Sequence, residues 1–425
     1  MLLVTDKYLY QIYCYLKNTC ININFFNTRI INQVSMLINY SYFFVTLIFL
    51  ISNAASSLNW LALASTSTQN YHVPYKIHRN NDNPYHVLCD RLPGLNPIQK
   101  QICQKYPYAM PHVSRGAKES IYECREQFKD ERWNCSEPLE HENSKNPRTF
   151  VVPLEKTLQQ SNKETAFVSA ITSAGIVHSI TKACSMGNMT ECDCDNQPGK
   201  QRFVDTTSQV AGDIIPKKNE PFIWAGCSDD ITYGIKFARE FLDKYEKEQY
   251  DNSGNVKHLM NLHNHFAGRE AISQNMRRQC RCHGVSGSCE LKTCWLQMPK
   301  FSEIGDMLKK RYEHYSVQVA KKSKKRLRRK ERSERRIPLR GTEIAYITRS
   351  PSYCERNETL GIFGTQEREC NPNSLSTDSC DLLCCGRGYN TREEVRVVRC
   401  HCKFVWCCQV KCKECKELVR ISTCK

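Results

Sequence analysis

What this chain lacks narrows its function first. It has no apolar run long enough to cross a bilayer, which takes about 20 residues. The run at residues 42–51 (YFFVTLIFLI) is far too short, and this argues against a membrane-spanning mature chain. It suits a signal-peptide core, with Ser52 and Ala54 as the small residues a signal peptidase needs. We expect residues 1–54 to be leader and signal peptide, with Met36 as an alternative start, and the mature chain to be secreted. No internal repeat is present, and no histidine motif of the trypsin type occurs. Acidic residues are also scarce: 44 Asp and Glu face 61 Lys and Arg, for a net charge of +17.

Cysteine, by contrast, is abundant, with 26 in 425 residues. Cys14 and Cys20 fall in the expected leader, which leaves 24, an even number, from Cys89 onward. A cytosolic protein would keep these thiols reduced, so the count points to the secretory pathway and to disulfides. Zinc is the competing use, since Cys412 and Cys415 have C-x-x-C spacing and Cys280-Arg-Cys282-His283 could form a ligand cluster. The adjacent pairs Cys384-Cys385 and Cys407-Cys408 do not repeat as finger modules, so no metal is expected.

The positive charge is concentrated. Residues 321–340 (KKSKKRLRRKERSERRIPLR) hold twelve basic and two acidic residues. Nucleic acid is one counterpart for such a run, but in a secreted chain heparan sulfate is the expected one, and no nucleic-acid partner is. The plain alternative is a solvated, mobile connector. Arg326-Leu-Arg-Arg329 also fits the R-x-[KR]-R pattern of furin-type proteases.

Helical periodicity covers much of residues 111–312. Val113, Ala117, Ile121, Cys124 and Phe128 recur every three or four residues; residues 165–184 are small and apolar nearly all round. A third helix should start at Ser228-Asp229-Asp230, a fourth should span residues 258–278, and a shorter one residues 301–312. Residues 353–425 carry twelve cysteines and read as paired short strands held by disulfides. The fold class is therefore α+β and disulfide-rich. We expect a helical N-terminal domain at residues 55–318, a basic linker at 319–345 and a cysteine-rich domain at 346–425. Sequons place glycans on Asn134, Asn188 and Asn357.

The most informative stretch is residues 280–295 (CRCHGVSGSCELKTCW). Nested pairing of Cys280 with Cys294 and Cys282 with Cys289 would make a rigid hairpin whose glycine-flanked tip projects the Ser286 hydroxyl. The tip lies near the G-x-S-x-G elbow, but Ser288 stands where the last glycine belongs. His283, three residues from Ser286, sits in the same tight loop and cannot serve as a triad histidine. The chain therefore reads as a non-enzyme.

The string CHGVSGSC at residues 282–289 resembles the signature of the Wnt family. FKDERWNC at 128–135, AFVSAITSAG at 166–175, WAGCS at 224–228, LLCCGRGY at 382–389 and FVWCC at 404–408 resemble further Wnt landmarks, in family order. The resemblance covers about residues 59–425. Residues 324–338 and 360–365 resemble the subfamily numbered sixteen, and residues 260–263 the one numbered four. His265 and Phe266 depart from the asparagine and glutamate usual there.

The resemblance implies a hand-like fold in which a helical domain carries an acylated thumb hairpin and a cysteine-rich domain carries a finger hairpin. It puts a palmitoleoyl group, attached by the acyltransferase Porcupine, on Ser286, and requires no other cofactor. It implies binding to a Frizzled receptor through Val285, Ser286, Phe404, Val405, Trp406, Cys407 and Cys408, with a lipoprotein-receptor-related co-receptor and the carrier Wntless as further partners. Trp406 could instead be a core residue. The resemblance also implies the pairs Cys124–Cys135, Cys184–Cys192, Cys194–Cys227, Cys280–Cys294 and Cys282–Cys289. In the C-terminal domain it implies Cys354–Cys385, Cys370–Cys380, Cys384–Cys424, Cys400–Cys415, Cys402–Cys412 and a vicinal Cys407–Cys408 bond. Cys89 and Cys103 then remain for each other. Secretion into the extracellular space and matrix follows. A lipid-free, cystine-rich matrix or growth-factor-like protein is the main alternative.

Overall fold

Residues 59–66, 84–136, 154–195, 222–322 and 326–425 are described by the structure, a computed structural model; the expected leader lies outside them. Among the described residues no helix is long and apolar enough to cross a membrane.

Apolar spacing of three and four folds α1 (Met110–Phe128), which buries Val113, Ala117, Cys124 and Phe128. Helix α2 (Lys163–Ser185) is buried on almost every side, as its lack of a polar face requires. Asn162 caps it by accepting the Thr165 N–H at 2.8 Å. Ser169 and Thr172 return their hydroxyls to carbonyls one turn back, so these polar groups stay satisfied inside the core. The two helices cross backbone against backbone: a Cβ on Gly116 would come within 2.6 Å of the Gly175 carbonyl oxygen.

Helix α3 (Ile231–Ala238) is capped by Asp230 rather than Ser228, and a π-helical stretch, Arg239–Asp243, joins it to α4 (Lys244–Ser253). Helix α5 (Val256–Ser273) ends short of the expected Arg278, because Arg277 and Arg278 already belong to a strand. Helix α6 (Phe301–His314) closes the core. There the Phe128 ring meets Phe167 at 4.8 Å and Trp133 and Tyr312 at 4.9 Å, all edge to face. Truncating so deeply buried a ring costs about 3–5 kcal/mol.

Three small sheets stand on this body. The first holds β1 (Phe222–Ala225), β2 (Arg277–Cys282) and β3 (Leu291–Gln297) in the order β1-β3-β2. The second is formed by β4 (Ser316–Lys322), β5 (Arg326–Arg329) and β6 (Ile344–Tyr346). It occupies the stretch expected as a basic linker, with a mobile connector as the plain alternative; its described residues are instead strands packed on the body. Val319, inward on β4, packs with Met260 and Ala345, and Leu327 closes over them. Arg329 is buried and donates to Glu343 at 2.6 Å and to Glu334 at 3.1 Å. Period-two alternation beneath the charge density explains the fold: Arg326 and Arg328 stay exposed while Leu327 and Arg329 turn inward.

The third sheet contains β7 (Glu369–Cys370), β8 (Tyr389–Val405) and β9 (Gln409–Cys424) in the order β7-β9-β8. Where short strands were expected, β8 and β9 form one long hairpin of 17 and 16 residues. The described residues from 59 to 425 cluster as one compact unit. Two arginines interleave the C-terminal segment with the helical body. Arg132, just past α1, donates to the Leu382 carbonyl, and Arg368 donates back to the carbonyls of Lys129 and Arg132.

Candidate functional site

Two stapled hairpins carry the candidate residues. In the first, β2 and β3 pair antiparallel with Cys280 opposite Cys294, and those two are disulfide-bonded; Cys282–Cys289 closes the loop above. The tip is a tight turn in which the Gly284 N–H donates to the Ser288 carbonyl at 2.8 Å and the Ser288 N–H to the Val285 carbonyl at 3.1 Å. Gly284 is required by closeness, since a Cβ there would stand 2.5 Å from the Ser288 carbonyl oxygen. Ser286 adopts a left-handed φ of 56°, uncommon for a residue with a side chain, and is exposed. Val285 beside it is 90% exposed.

The His283 imidazole is tied to Thr293 Oγ1 at 2.9 Å, on β3 rather than on Ser286. His283 therefore serves the hairpin rather than the serine. The zinc alternative fails on its own ligands, because the sulfurs of Cys280, Cys282, Cys412 and Cys415 are all in disulfides.

The second hairpin turns at Trp406-Cys407-Cys408, with Val405 paired to Gln409. Cys400–Cys415 and Cys402–Cys412 brace it, the second of them within a bulge at residues 400–403. Trp406 is 91% exposed and Phe404 68%, so Trp406 is no core residue; Val405 is also exposed. The pairing of Phe404 with Val410 adds Val410 to this apolar tip, a residue missed because its neighbour depends on register.

Cys407 and Cys408 correct an expectation. They are free, exposed thiols whose sulfurs lie 3.9 Å apart, against about 2.05 Å for a bond. Both take left-handed backbone, φ 68° and 80°, to close the turn. The structure joins the other implied pairs: Cys89–Cys103, Cys124–Cys135, Cys184–Cys192, Cys194–Cys227, Cys354–Cys385, Cys370–Cys380 and Cys384–Cys424, besides the four hairpin bonds.

Asn188 and Asn357 lie exposed, and Asn357 Oδ1 accepts the Thr359 hydroxyl at 2.7 Å. Asn134 is half-buried and accepts from Ser136. An open cleft of 1360 Å³ lined by Arg125, Lys129, Arg356 and Arg387 lies on neither hairpin, so the candidate surface is two protrusions and not a cavity.

His265 is buried with Nδ1 3.1 Å from Asp243 Oδ1, and Arg269 makes a two-pronged contact with the same carboxylate at 2.8 and 3.1 Å. Burial alone would raise the Asp243 carboxyl, but hydrogen bonds and charge from His265 and Arg269 outweigh it and hold the group below its ordinary range. Burial pushes the neighbouring His263 down. Phe266 packs against Gly341, where a Cβ would meet the ring at 2.4 Å. Both departures from the family pattern thus serve packing around α5.

A helical body with two stapled, apolar-tipped hairpins defines a disulfide-rich α+β protein that presents two exposed tips. The model of the Wnt family matches residues 91–425, and the chain belongs to that family. It is 44% identical over 366 residues to protein Wnt-16 of Bos taurus, covering 86% of this chain and 91% of that one. Protein Wnt-16 of Mus musculus matches at 44% over 367 residues, again 86% and 91%. The solved complex of human WLS with WNT8A contains a chain 34% identical, with TM-score 0.50, covering 74% of this chain and 94% of that one. Wnt ligands are secreted developmental signals.

Proposed function

We propose that this Wnt ligand carries a palmitoleoyl group on Ser286 and binds a Frizzled receptor with its two hairpin tips. The observation that carries the reading is Ser286 itself: an exposed hydroxyl at left-handed φ, on a turn locked by two disulfides and flanked by exposed Val285. An acyltransferase such as Porcupine, and then a receptor, would grip a tip that has little entropy left to lose. Burying the acyl chain is worth about 0.8 kcal/mol per methylene, on the order of 10 kcal/mol in all. That gain dominates a small interface and calls for a carrier such as Wntless. The second tip supplies Phe404, Val405, Trp406, Cys407 and Cys408, an exposed aromatic-centred group of the kind that forms a binding hot spot. A lipoprotein-receptor-related co-receptor would complete the assembly.

Mass analysis of the secreted tip peptide, with co-precipitation on a Frizzled cysteine-rich domain, tests this reading. Wild type should carry the adduct and bind; Ser286→Ala should fold, lack the adduct and lose binding. A bare Ser286 on active, secreted protein would support the lipid-free matrix alternative instead.

Heparan sulfate is the polyanion proposed for the second sheet, where Arg326, Arg328, Lys330, Arg332, Arg335 and Arg336 are all exposed. Neutralising them should lower the salt needed to elute the protein from heparin while leaving Ser286 acylation unchanged; an unmoved elution would place glycan binding elsewhere.

A further inference from the structure

Strand β8 is an edge: from Tyr389 to Val405 its outer side carries no neighbour among the described residues. Long open edges are templates for another strand, and side chains decide which strand fits. Midway along this edge stand Glu394, Val395 and Arg396, all exposed. Val395 is 56% exposed and lies directly opposite Leu418 of β9, itself 65% exposed, far from the receptor tip proposed above. We propose that this edge pairs antiparallel with β8 of a second copy, centred on Val395, to form one six-stranded sheet across two ligands, in the order β7-β9-β8-β8-β9-β7.

The register follows from backbone geometry and charge. In an antiparallel pair, opposed residues either both point their N–H and C=O at the partner strand or both point them away. Two identical strands related by a two-fold axis therefore pair only with the axis passing through a residue. Centred on Val395, each Glu394 faces the second copy's Arg396, giving two opposite-charge pairs. Moving the axis one residue back sets Glu394 against itself, and one residue forward sets Arg396 against itself; like charges directly opposed are destabilising.

In the favoured register Leu418, Val395 and their two counterparts form one apolar row on a single face of the sheet. The present contacts of the two charged residues are loose: Glu394 to Arg392 at 3.7 Å and Arg396 to Glu369 at 3.6 Å, all four exposed. Exposed pairs of this kind are worth little and exchange readily. A single strand pair is smaller than a standard interface, so the dimer should be weak and concentration-dependent. The edge lies apart from Ser286, so the pairing does not depend on acylation.

Sedimentation velocity of the secreted full chain over a concentration series, in density-matched detergent, tests the proposal. Wild type should show a monomer–dimer equilibrium, unchanged in the Ser286→Ala background. Glu394→Arg alone and Arg396→Glu alone each oppose like charges and should weaken the dimer by roughly tenfold or more. An equal mixture of the two variants restores both opposite-charge pairs, so it should regain the dimer as a heterodimer. Matching circular dichroism of each variant excludes misfolding, since both positions are exposed. Wild type that stays monomeric throughout overturns the proposal, as does a single variant that dimerises like wild type or a mixture that stays monomeric.

Discussion

Arg329 donates to Glu343 at 2.6 Å, with both side chains almost wholly buried. The last arginine of the R-x-[KR]-R sequence is thereby held inside a strand, out of reach of a protease that needs an extended, exposed segment. Secreted protein should run as one chain without reductant. Glu343→Gln leaves Glu334 as the one carboxylate paired with Arg329 and should cost about 1–3 kcal/mol, read as a lower melting temperature and faster tryptic cleavage after residue 329.

Gly284→Ala should act on the thumb tip alone. The added methyl meets the Ser288 carbonyl, so the turn must open and Ser286 must move. Acyl occupancy measured by mass should fall while the melting temperature stays within experimental scatter, because the tip is exposed. Full occupancy in this variant would show that the turn geometry is not what the acyltransferase reads.

Trp406→Ala separates binding from stability. A side chain 91% exposed contributes little to the fold, within about 0.5 kcal/mol. At a hot spot its loss costs about 2 kcal/mol or more, roughly a thirtyfold weaker Frizzled affinity by surface plasmon resonance. An unfolded variant would instead mark the finger as part of the core.

The Asp243 site should make stability acid-sensitive. Its carboxyl is held below its ordinary range in the folded protein, so its contribution is complete above the unfolded value of about 3.9 and is lost as pH falls through the lower folded value. Asp243→Asn leaves Arg269 buried without its counter-charge and should cost about 3–5 kcal/mol at neutral pH. The difference from wild type should narrow below about pH 4, as followed by thermal melting across pH. A gap that stays constant down to the acid limit would assign the loss to packing.

The helical body was legible because its signals are local. Val113, Ala117 and Phe128 repeat on one face, and the unbroken small-apolar run of α2 leaves it no place except a core. Elements set by distant partners were harder to read. The pattern of α5 continues past Ser273, but Arg278 pairs with Leu296 in the first sheet, and that pairing ends the helix. Charge hid the second sheet, whose inward residues Val319 and Leu327 are too few to stand out among lysines and arginines. Apolar alternation marks only part of β8, while cross-strand register and disulfides sustain the rest. The Ser286 tip was readable since its glycines and cysteines lie within ten residues of it. The free Cys407 and Cys408 were not, because their separation depends on the turn that Val405 and Gln409 close.

The crossed arginines Arg132 and Arg368 give the molecule a mechanical character. If the proposed receptor holds the ligand at both tips, movement of the receptor's membrane would place the ligand under traction. Force applied to the finger enters the C-terminal segment and passes through Arg368 to the carbonyls of Lys129 and Arg132, and through Leu382 to Arg132. These contacts point both ways across the same seam, so sliding the two parts past each other must break several charge-assisted hydrogen bonds together instead of one after another. The seam should therefore resist shear, and a tethered ligand under pulling should let go at its tips before these two parts separate.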